Sequence, residues 1–496
     1  MLSPSQFRFL NETHDLADCG WDTPAIEKLW RYNLHYFDDL NATDAVKREK
    51  WHRALLEQWI SENPAGTGTG WEPYPTSLRI VNWVKWDFGG GKLSPACVHS
   101  LAVQTRWLAR RMEFHLLGNH LIANAKALIF AGFFFEGPEA SSWLEKGFRV
   151  LAREMKEQIL TDGGHFELST MYHALALEDF LDLYNLSAAF EDAVPPLRRL
   201  TIQRLCDILG PMRTWLATMS HPDGDIAFFN DAAKHIACTP GQLEHYAERL
   251  CLPRPPACAT PLALLSASGY LRVERDGAVT LLDVARVGPD YLPGHAHADS
   301  LSFEFSLFGQ RVLVNSGTSL YGTGAERLRQ RGTAAHNTVA VNGQNSSEVW
   351  GGFRVARRAR PKELKIIEGA DIFVSCAHDG YRRLTGAPEH LRRWTFTDNR
   401  LVVGDEISGT FAEAQARFHL HPSITLEPAT DANNESTAVL CLPGGRQILF
   451  SIEGGSLRRE PSTWHSSFGS SESNHCLVVS FRGPVVRTQL SWGTQE

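Results

Sequence analysis

The spacing of apolar residues changes near residue 255, and that change constrains the architecture more than any other property of the chain. Before it, Trp51, Leu55, Leu56 and Trp59 recur at the period of one helix face. Trp143, Phe148, Leu151 and Met155 do the same, as do Met171, Leu175, Phe180, Leu183 and Leu186. Such segments run from about residue 45 to 250, broken by Gly, Pro, Asn and Asp clusters such as ENPAGTGTG and TDGGH. After it the period is two: Leu301, Phe303, Phe305 and Leu307 alternate with Ser302, Glu304 and Ser306, and Val312, Val314, Val339 and Val341 continue the pattern. The proline-rich stretch CLPRPPACATP, residues 251–261, reads as a linker. The pattern predicts an α+β multidomain chain: an all-helical domain over 1–255, either a bundle or a ring of helical hairpins, then an antiparallel β-sandwich over 262–496.

Composition narrows the partners. The 496 residues are 43% hydrophobic and 21% charged, as in ordinary globular proteins, and no short repeat is present. A net charge of −7 offers nothing global to a polyanion, which argues against nucleic acid and requires any acidic ligand to meet a local basic lining. Nine cysteines, among them Cys258 in the linker, are scattered without a CxxC pair, so core thiols in a reducing compartment are the expectation. The N-terminus lacks a basic start followed by an apolar run, and AKALIFAGFFF falls short of the ~20 residues a membrane helix needs. A cytoplasmic protein without a membrane span is expected, periplasmic or secreted if the true start lies upstream; oligomeric state is not legible.

Two short stretches carry the chemistry. Asn119 and His120, in Gly118-Asn119-His120, lie near the start of the helix LIANAKALIFAGFFF, where free N–H groups suit a carboxylate; Asn119 could equally be that helix's cap. In GHAHAD, backward extension of the strand alternation puts His295, His297 and Asp299 on one face, a pattern suited to metal ligation or to a base beside a ligand. His336, in AAHNTV, could be a third imidazole. Tyr172 follows a glycine turn in GGHFELSTMYH, with Glu167 able to orient a neighbouring His or Tyr; an ordinary core tyrosine and a solvated carboxylate are the alternatives. Aromatic and polar residues crowd residues 29–40 and 70–83. There Tyr32, Trp71 and Tyr74 could stack on sugars while Asn33, His35 and Arg79 bond them, although core packing explains most aromatics and two or three should reach ligand. Arg331 joins these candidate binding residues, and Arg354, Arg357, Arg358 and Arg360 after Trp350 could hold an anionic chain.

The order GNH, Tyr-bearing helix start, GHxHxD, NSGT and AAHNTV resembles the heparinase II/III-like polysaccharide lyases over nearly the full length, and RYNLHYFDDL is similar to members that accompany bacterial surface-polysaccharide genes. The resemblance implies an incomplete (α/α) toroid followed by an antiparallel β-sandwich, and β-elimination on a uronate-containing acidic polysaccharide. It implies that Asn119 or His120 neutralises the uronate carboxylate, that Tyr172 is acid and base, and that His295 assists. It further implies a structural zinc on His297, Asn315 and His336. The family's acidic ligand is here Asn315, and a neutral amide is the poorer zinc ligand.

Two other readings stand beside elimination. A glycoside hydrolase would need two opposed carboxylates, for which Asp223, Asp225 and Asp231 are candidates. A non-catalytic glycan-binding or assembly protein of polysaccharide biosynthesis would bind without turnover.

Overall fold

The computed structural model describes residues 1–255, 260–427 and 436–493, so Cys258 and part of the 251–261 linker lie outside the described residues. The other eight cysteines are free thiols. The chain divides into two compact units, Met1–Ile159 with Ala176–Leu209, and Leu160–Leu175 with Gly210–Glu496. Among the described residues no helix is long and apolar enough to cross a membrane.

The first unit opens with a small hairpin, Gln6–Phe9 against Glu12–Asp15, and is otherwise helical. Proline in the first turn starts the helices Pro73–Trp86, Pro95–Arg110 and Pro138–Gln158, where a missing N–H costs nothing. The helices Gly118–Phe134 and Pro138–Gln158 pack closely because glycine stands at both contacts. A Cβ on Gly132 would lie 2.7 Å from the Leu144 Cβ, and one on Gly147 would lie 2.9 Å from the Ala125 carbonyl. Gly118–Phe134 is apolar around most of its circumference, and its one lysine, Lys126, is matched to Asp179 at 2.7 Å and to Asp182. Trp30, Trp59 and Trp83 fill the core of this unit.

The second unit holds the sheets. Leu262–Leu265, Tyr270–Arg275, Ala278–Asp283, Phe303–Leu307 and Gln310–Leu313 form an antiparallel meander in chain order. A second sheet runs Ser456–Trp464, Glu472–Phe481, Ala414–His419, Val339–Val341. A larger one starts at Pro361–Glu368 and passes through Arg400–Ser408 and Val485–Trp492 to Thr425–Leu426. Side chains from all three, among them Phe303, Phe305, Val339, Trp394, Phe418, Phe450 and Leu490, share one apolar core.

The polar side of Phe303–Leu307 is not solvated; all five residues are buried. Glu304 accepts from the backbone N–H of Phe228 at 3.0 Å and of Asn315 at 2.7 Å, and pairs with His221 at 2.8 Å. Ser306 lies 2.7 Å from the other nitrogen of the same ring. The Ser–His–Glu set resembles a nucleophile triad but is closed off from solvent, so it works as a polar clamp.

Candidate active site

In the second unit, Gly163 turns the chain with φ +88° against the Pro211 backbone, and residues 164–169 lead into the helix Thr170–Ala189. Leu168, itself at φ 60°, is pinned by Tyr270 and Asn230, which donate to its carbonyl at 2.7 and 2.9 Å. Ser169 donates to the Asp231 carbonyl and accepts the Tyr172 N–H at 3.2 Å. Tyr172 is therefore placed by a loop with little freedom.

Its ring stacks on His295, with centroids 3.9 Å apart and planes 18° from parallel. The Tyr172 hydroxyl lies 2.7 Å from that of Tyr321. His295 Nδ1 pairs with the Glu167 carboxylate. A carboxylate only accepts, so Nδ1 carries a hydrogen, and it is Nε2 that holds the lone pair in the neutral ring. Glu167 is 2% exposed and His295 16%, so the imidazole is the partner that solvent reaches. Burial, then the neighbouring Tyr321 and Asp231, push the Tyr172 hydroxyl well above the ordinary phenol value, and Tyr321 is raised by burial and Asp231. Both phenols hold their protons at neutral pH.

Beneath these rings, Asp231 receives a two-pronged contact from Arg327, and His297 Nε2 lies 2.8 Å from its Oδ1. Arg327 and His297 hold the Asp231 carboxyl far below the usual range against the cost of burial. The Arg327 guanidinium also lies 5.0 Å over the Tyr321 ring. The loop carrying the two histidines is braced by Asn230, whose Oδ1 accepts the His297 N–H at 3.0 Å.

His295 and His297 do not share one environment, contrary to the alternation argument. The strand begins at Phe303, and residues 292–302 are irregular, with Leu301 at φ 61°. His295 meets Tyr172, whereas His297 is buried on Asp231 and His336.

The residues expected to hold zinc meet only in part. His297 Nδ1 faces His336 Nε2 at 3.1 Å, while His336 Nδ1 donates to the Gly332 carbonyl at 2.8 Å. Asn315 spends its oxygen on the Asn337 N–H at 3.1 Å and its amide hydrogen on the Phe228 carbonyl at 2.9 Å. Among the described residues no group of three His, Cys, Asp or Glu side chains is arranged for a metal. His297 and His336 bring two ring nitrogens face to face, while the Asn315 side chain is committed to Asn337 and Phe228.

In the first unit, Leu117 occupies the position before the helix Gly118–Phe134, at φ 62°, so Asn119 lies inside the first turn and is not its cap. Asn119 is within hydrogen-bonding reach of the Tyr74 hydroxyl. The His120 ring lies 4.5 Å from that of Tyr74, and its Nδ1 is 3.2 Å from Glu113 Oε1. Asn124 fixes Glu113, accepting its N–H at 2.7 Å and donating to its carboxylate at 3.1 Å.

Several expected ligand contacts prove to be core. His35 is fully buried and accepts from Trp59 Nε1 at 3.0 Å, with its pKa pushed down to about 3 by burial and by Arg79. Arg79 is equally buried, 3.9 Å over the Trp59 ring and donating to Gln104 at 2.9 Å. Trp71 is buried and donates to the Asn63 carbonyl at 3.2 Å. Arg331 spends its guanidinium on the Ala296 carbonyl at 2.9 Å and the Gly351 carbonyl at 3.3 Å. It shapes the histidine loop and has no surface left for a ligand. Tyr32, Asn33 and Tyr74 stay half-buried, with Tyr32 bonded to Glu72 and Asn33 to the Leu29 carbonyl at 2.8 Å.

Tyr321, Arg327 and Phe353 were not singled out from the sequence. Only the glycine-flanked setting of Tyr321 in LYGTG, just after NSGT, marked it as a loop aromatic.

A family model described as heparinase II/III N-terminus matches residues 9–249, and one described as heparinase II/III-like, C-terminal matches residues 258–493. The chain is 26% identical over 471 residues to a heparin-sulfate lyase of Bacteroides stercoris, covering 88% of this chain and 66% of that one. It is 23% identical over 508 residues to a heparin-sulfate lyase of Bacteroides thetaiotaomicron, covering 87% and 69%. The chain thus spans about two thirds of the length of these relatives. A crystal structure of heparinase III matches with a TM-score of 0.78 at 19% identity, covering 96% of this chain and 80% of that one, which identifies the fold as a helical toroid followed by an antiparallel β-sandwich.

Proposed function

The chain belongs to the heparinase II/III-like family, and from that premise we propose that it is a polysaccharide lyase that cleaves a uronate-containing glycosaminoglycan by β-elimination. The observation that carries this reading is the Glu167–His295–Tyr172–Tyr321 assembly. Elimination requires a base for the proton at C5 of the uronate and an acid for the departing O4. Glu167 holds His295 in the tautomer whose Nε2 is free to accept, which assigns the base role to His295. Tyr172 retains its proton under burial and stacks on the same imidazole, which suits it to protonate O4. Tyr321, bonded to the Tyr172 oxygen, can return a hydrogen bond as that proton leaves. Asn119 and His120 are assigned, as in the family resemblance, to the charge that builds on the carboxylate; hydrogen bonds aimed at such charge are a major source of rate enhancement. No step in this scheme needs a metal.

A heparan-type substrate is supported by the names of the relatives, heparin-sulfate lyases. Hydrolysis has less support, because each candidate carboxylate already faces a cation: Asp223 with Arg311 at 2.7 Å, Asp225 with Lys234 at 3.0 Å, and the fully buried Asp231 with Arg327.

The test is incubation of the purified chain with heparan sulfate, heparin, chondroitin sulfate, hyaluronan and alginate, followed by the ultraviolet absorbance of the conjugated, unsaturated uronate. Elimination yields that absorbance, and Tyr172→Phe lowers the rate by roughly 10²–10⁴-fold. New reducing ends without unsaturation would instead identify a hydrolase. Binding without turnover, indifferent to Tyr172→Phe, would identify a glycan-binding protein.

A further inference from the structure

Beside His295, a short hairpin pairs Val349–Trp350 with Arg354–Val355 through the turn Gly351-Gly352-Phe353. This turn is anchored from below by the arginines that organise the reaction centre. Arg327, which grips Asp231, also donates to the Gly352 carbonyl at 3.1 Å. Arg331, which holds the Ala296 carbonyl, donates to the Gly351 carbonyl. Gly352 lies so close to Gly322 that an added Cβ would meet its carbonyl oxygen at 2.3 Å, which leaves no room for a side chain. Of the four arginines after Trp350, Arg357 closes the hairpin on Glu348 at 2.9 Å, and Arg358 ties down the neighbouring loop at Asp290 at 3.0 Å.

What this framework presents outward is aromatic and cationic. Phe353 is 42% exposed, with its ring 5.2 Å from Tyr321 and 6.2 Å from His295. Trp350 is 57% exposed. Arg354 stands opposite Trp350 in the register, so the two side chains rise from the same face of the ribbon. The Arg354 side chain is exposed and, among the described residues, its guanidinium makes no hydrogen bond or ion pair. Leaving two large apolar rings in water on an immobilised turn runs against the burial that placed almost every other tryptophan inside, and suggests a ligand. An indole or phenyl face suits the C–H face of a sugar ring, and an adjacent unpaired guanidinium suits a carboxylate or sulfate. In a chain of net charge −7, such a local cation is what a polyanion needs.

We propose that the Trp350–Arg354 turn is a subsite for an anionic sugar unit of the polysaccharide, next to the unit that reacts at His295 and Tyr172. The proposal rests on the lyase reading above for its polymer, but its test is separable. The full chain and its Arg354→Ala, Arg354→Lys and Trp350→Ala variants are compared in two assays, calorimetric binding of a heparan sulfate hexasaccharide and initial rates of unsaturated product on heparan sulfate. Arg354→Ala should raise both Kd and KM roughly tenfold or more, the scale of a charged hydrogen bond, with kcat changed much less. Arg354→Lys should recover part of the loss and Trp350→Ala should weaken binding independently. Because Arg354 has no internal partner, its variants should melt with the parent. Repeating the binding on an unsulfated heparosan hexasaccharide names the anion: a persisting penalty assigns the carboxylate, a vanished one the sulfate, and either supports the subsite. An active parent whose Kd and KM are unmoved by both Arg354→Ala and Trp350→Ala would overturn the subsite and leave the lyase reading standing. A parent that yields no unsaturated product from any polymer would sink the lyase reading, while the binding comparison would still decide the subsite.

Discussion

At the residue scale, the proposed elimination turns on which nitrogen of His295 carries its hydrogen, and the Glu167 contact at Nδ1 bears on that. An amide in its place could donate as well as accept and would permit the opposite tautomer, with Nε2 protonated and useless as a base. Glu167→Gln should therefore lower kcat by about 10²-fold or more while KM stays within a few-fold, read from initial rates on heparan sulfate. A parent-like kcat would remove His295 from the base role. Sequence reading reached Glu167, Tyr172 and His295 because their residue types and motif order carry chemical meaning by themselves. It misjudged His35, Arg79 and Arg331 for the same reason: polar side chains read as surface, yet each is buried, His35 accepting from Trp59 and the two arginines donating to Gln104 and the Ala296 carbonyl. Tyr321 was missed because a loop tyrosine has no periodicity to betray where its hydroxyl lies.

At the element scale, two motifs gain physical explanations. The glycine of NSGT, Gly317, has φ +74° and runs so close to His465 that a Cβ would sit 2.2 Å from its carbonyl oxygen. Left-handed geometry and a backbone contact together exclude any side chain. Gly317→Ala should cost about 2 kcal/mol or more, measured by urea unfolding; a cost below about 0.5 kcal/mol would show that the backbone can yield there. The second case is the helix Gly118–Phe134, whose apolar run made it the easiest element to find and hid the pairing of its lysine. Lys126 is 8% exposed between Asp179 and Asp182, the latter 5% exposed. Removing one member of a buried ion pair strands the other charge, at about 3–5 kcal/mol. Lys126→Met should approach the lower figure, because Lys85 still faces Asp182. Denaturation at pH 7 tests this, and a loss under about 1 kcal/mol would show that the acids are solvated instead. The helix period could never reveal these partners, which lie more than fifty residues away along the chain.

At the scale of the whole molecule, the shift from a 3.6-residue to a two-residue period was enough to read helices followed by sheets, since periodicity reports which face is buried. Polar burial escaped it, and that burial sets the acid response. His35 in the first unit and His165 and His173 in the second are fully buried. Burial lowers their pKa values to about 3, 4 and 3 respectively. His173 is held neutral from both sides, accepting the His165 N–H at 3.2 Å and donating to the Met212 carbonyl at 2.9 Å. In the unfolded chain each titrates near 6.5. Their contribution is thus complete above that value and is lost as pH falls toward the folded pKa, because only the unfolded state takes up the proton. Each group removes at most about 1.4 kcal/mol per pH unit over that window. The ion-paired carboxylates Asp182, Asp231 and Asp405, held far below their usual range, weaken the fold only at more acidic pH. The melting temperature should consequently fall by about 5 °C between pH 7 and pH 5, before carboxylate protonation begins. Scanning calorimetry at fixed ionic strength measures it, and a melting temperature that stays level to pH 5 would mean that these imidazoles reach water in the native state.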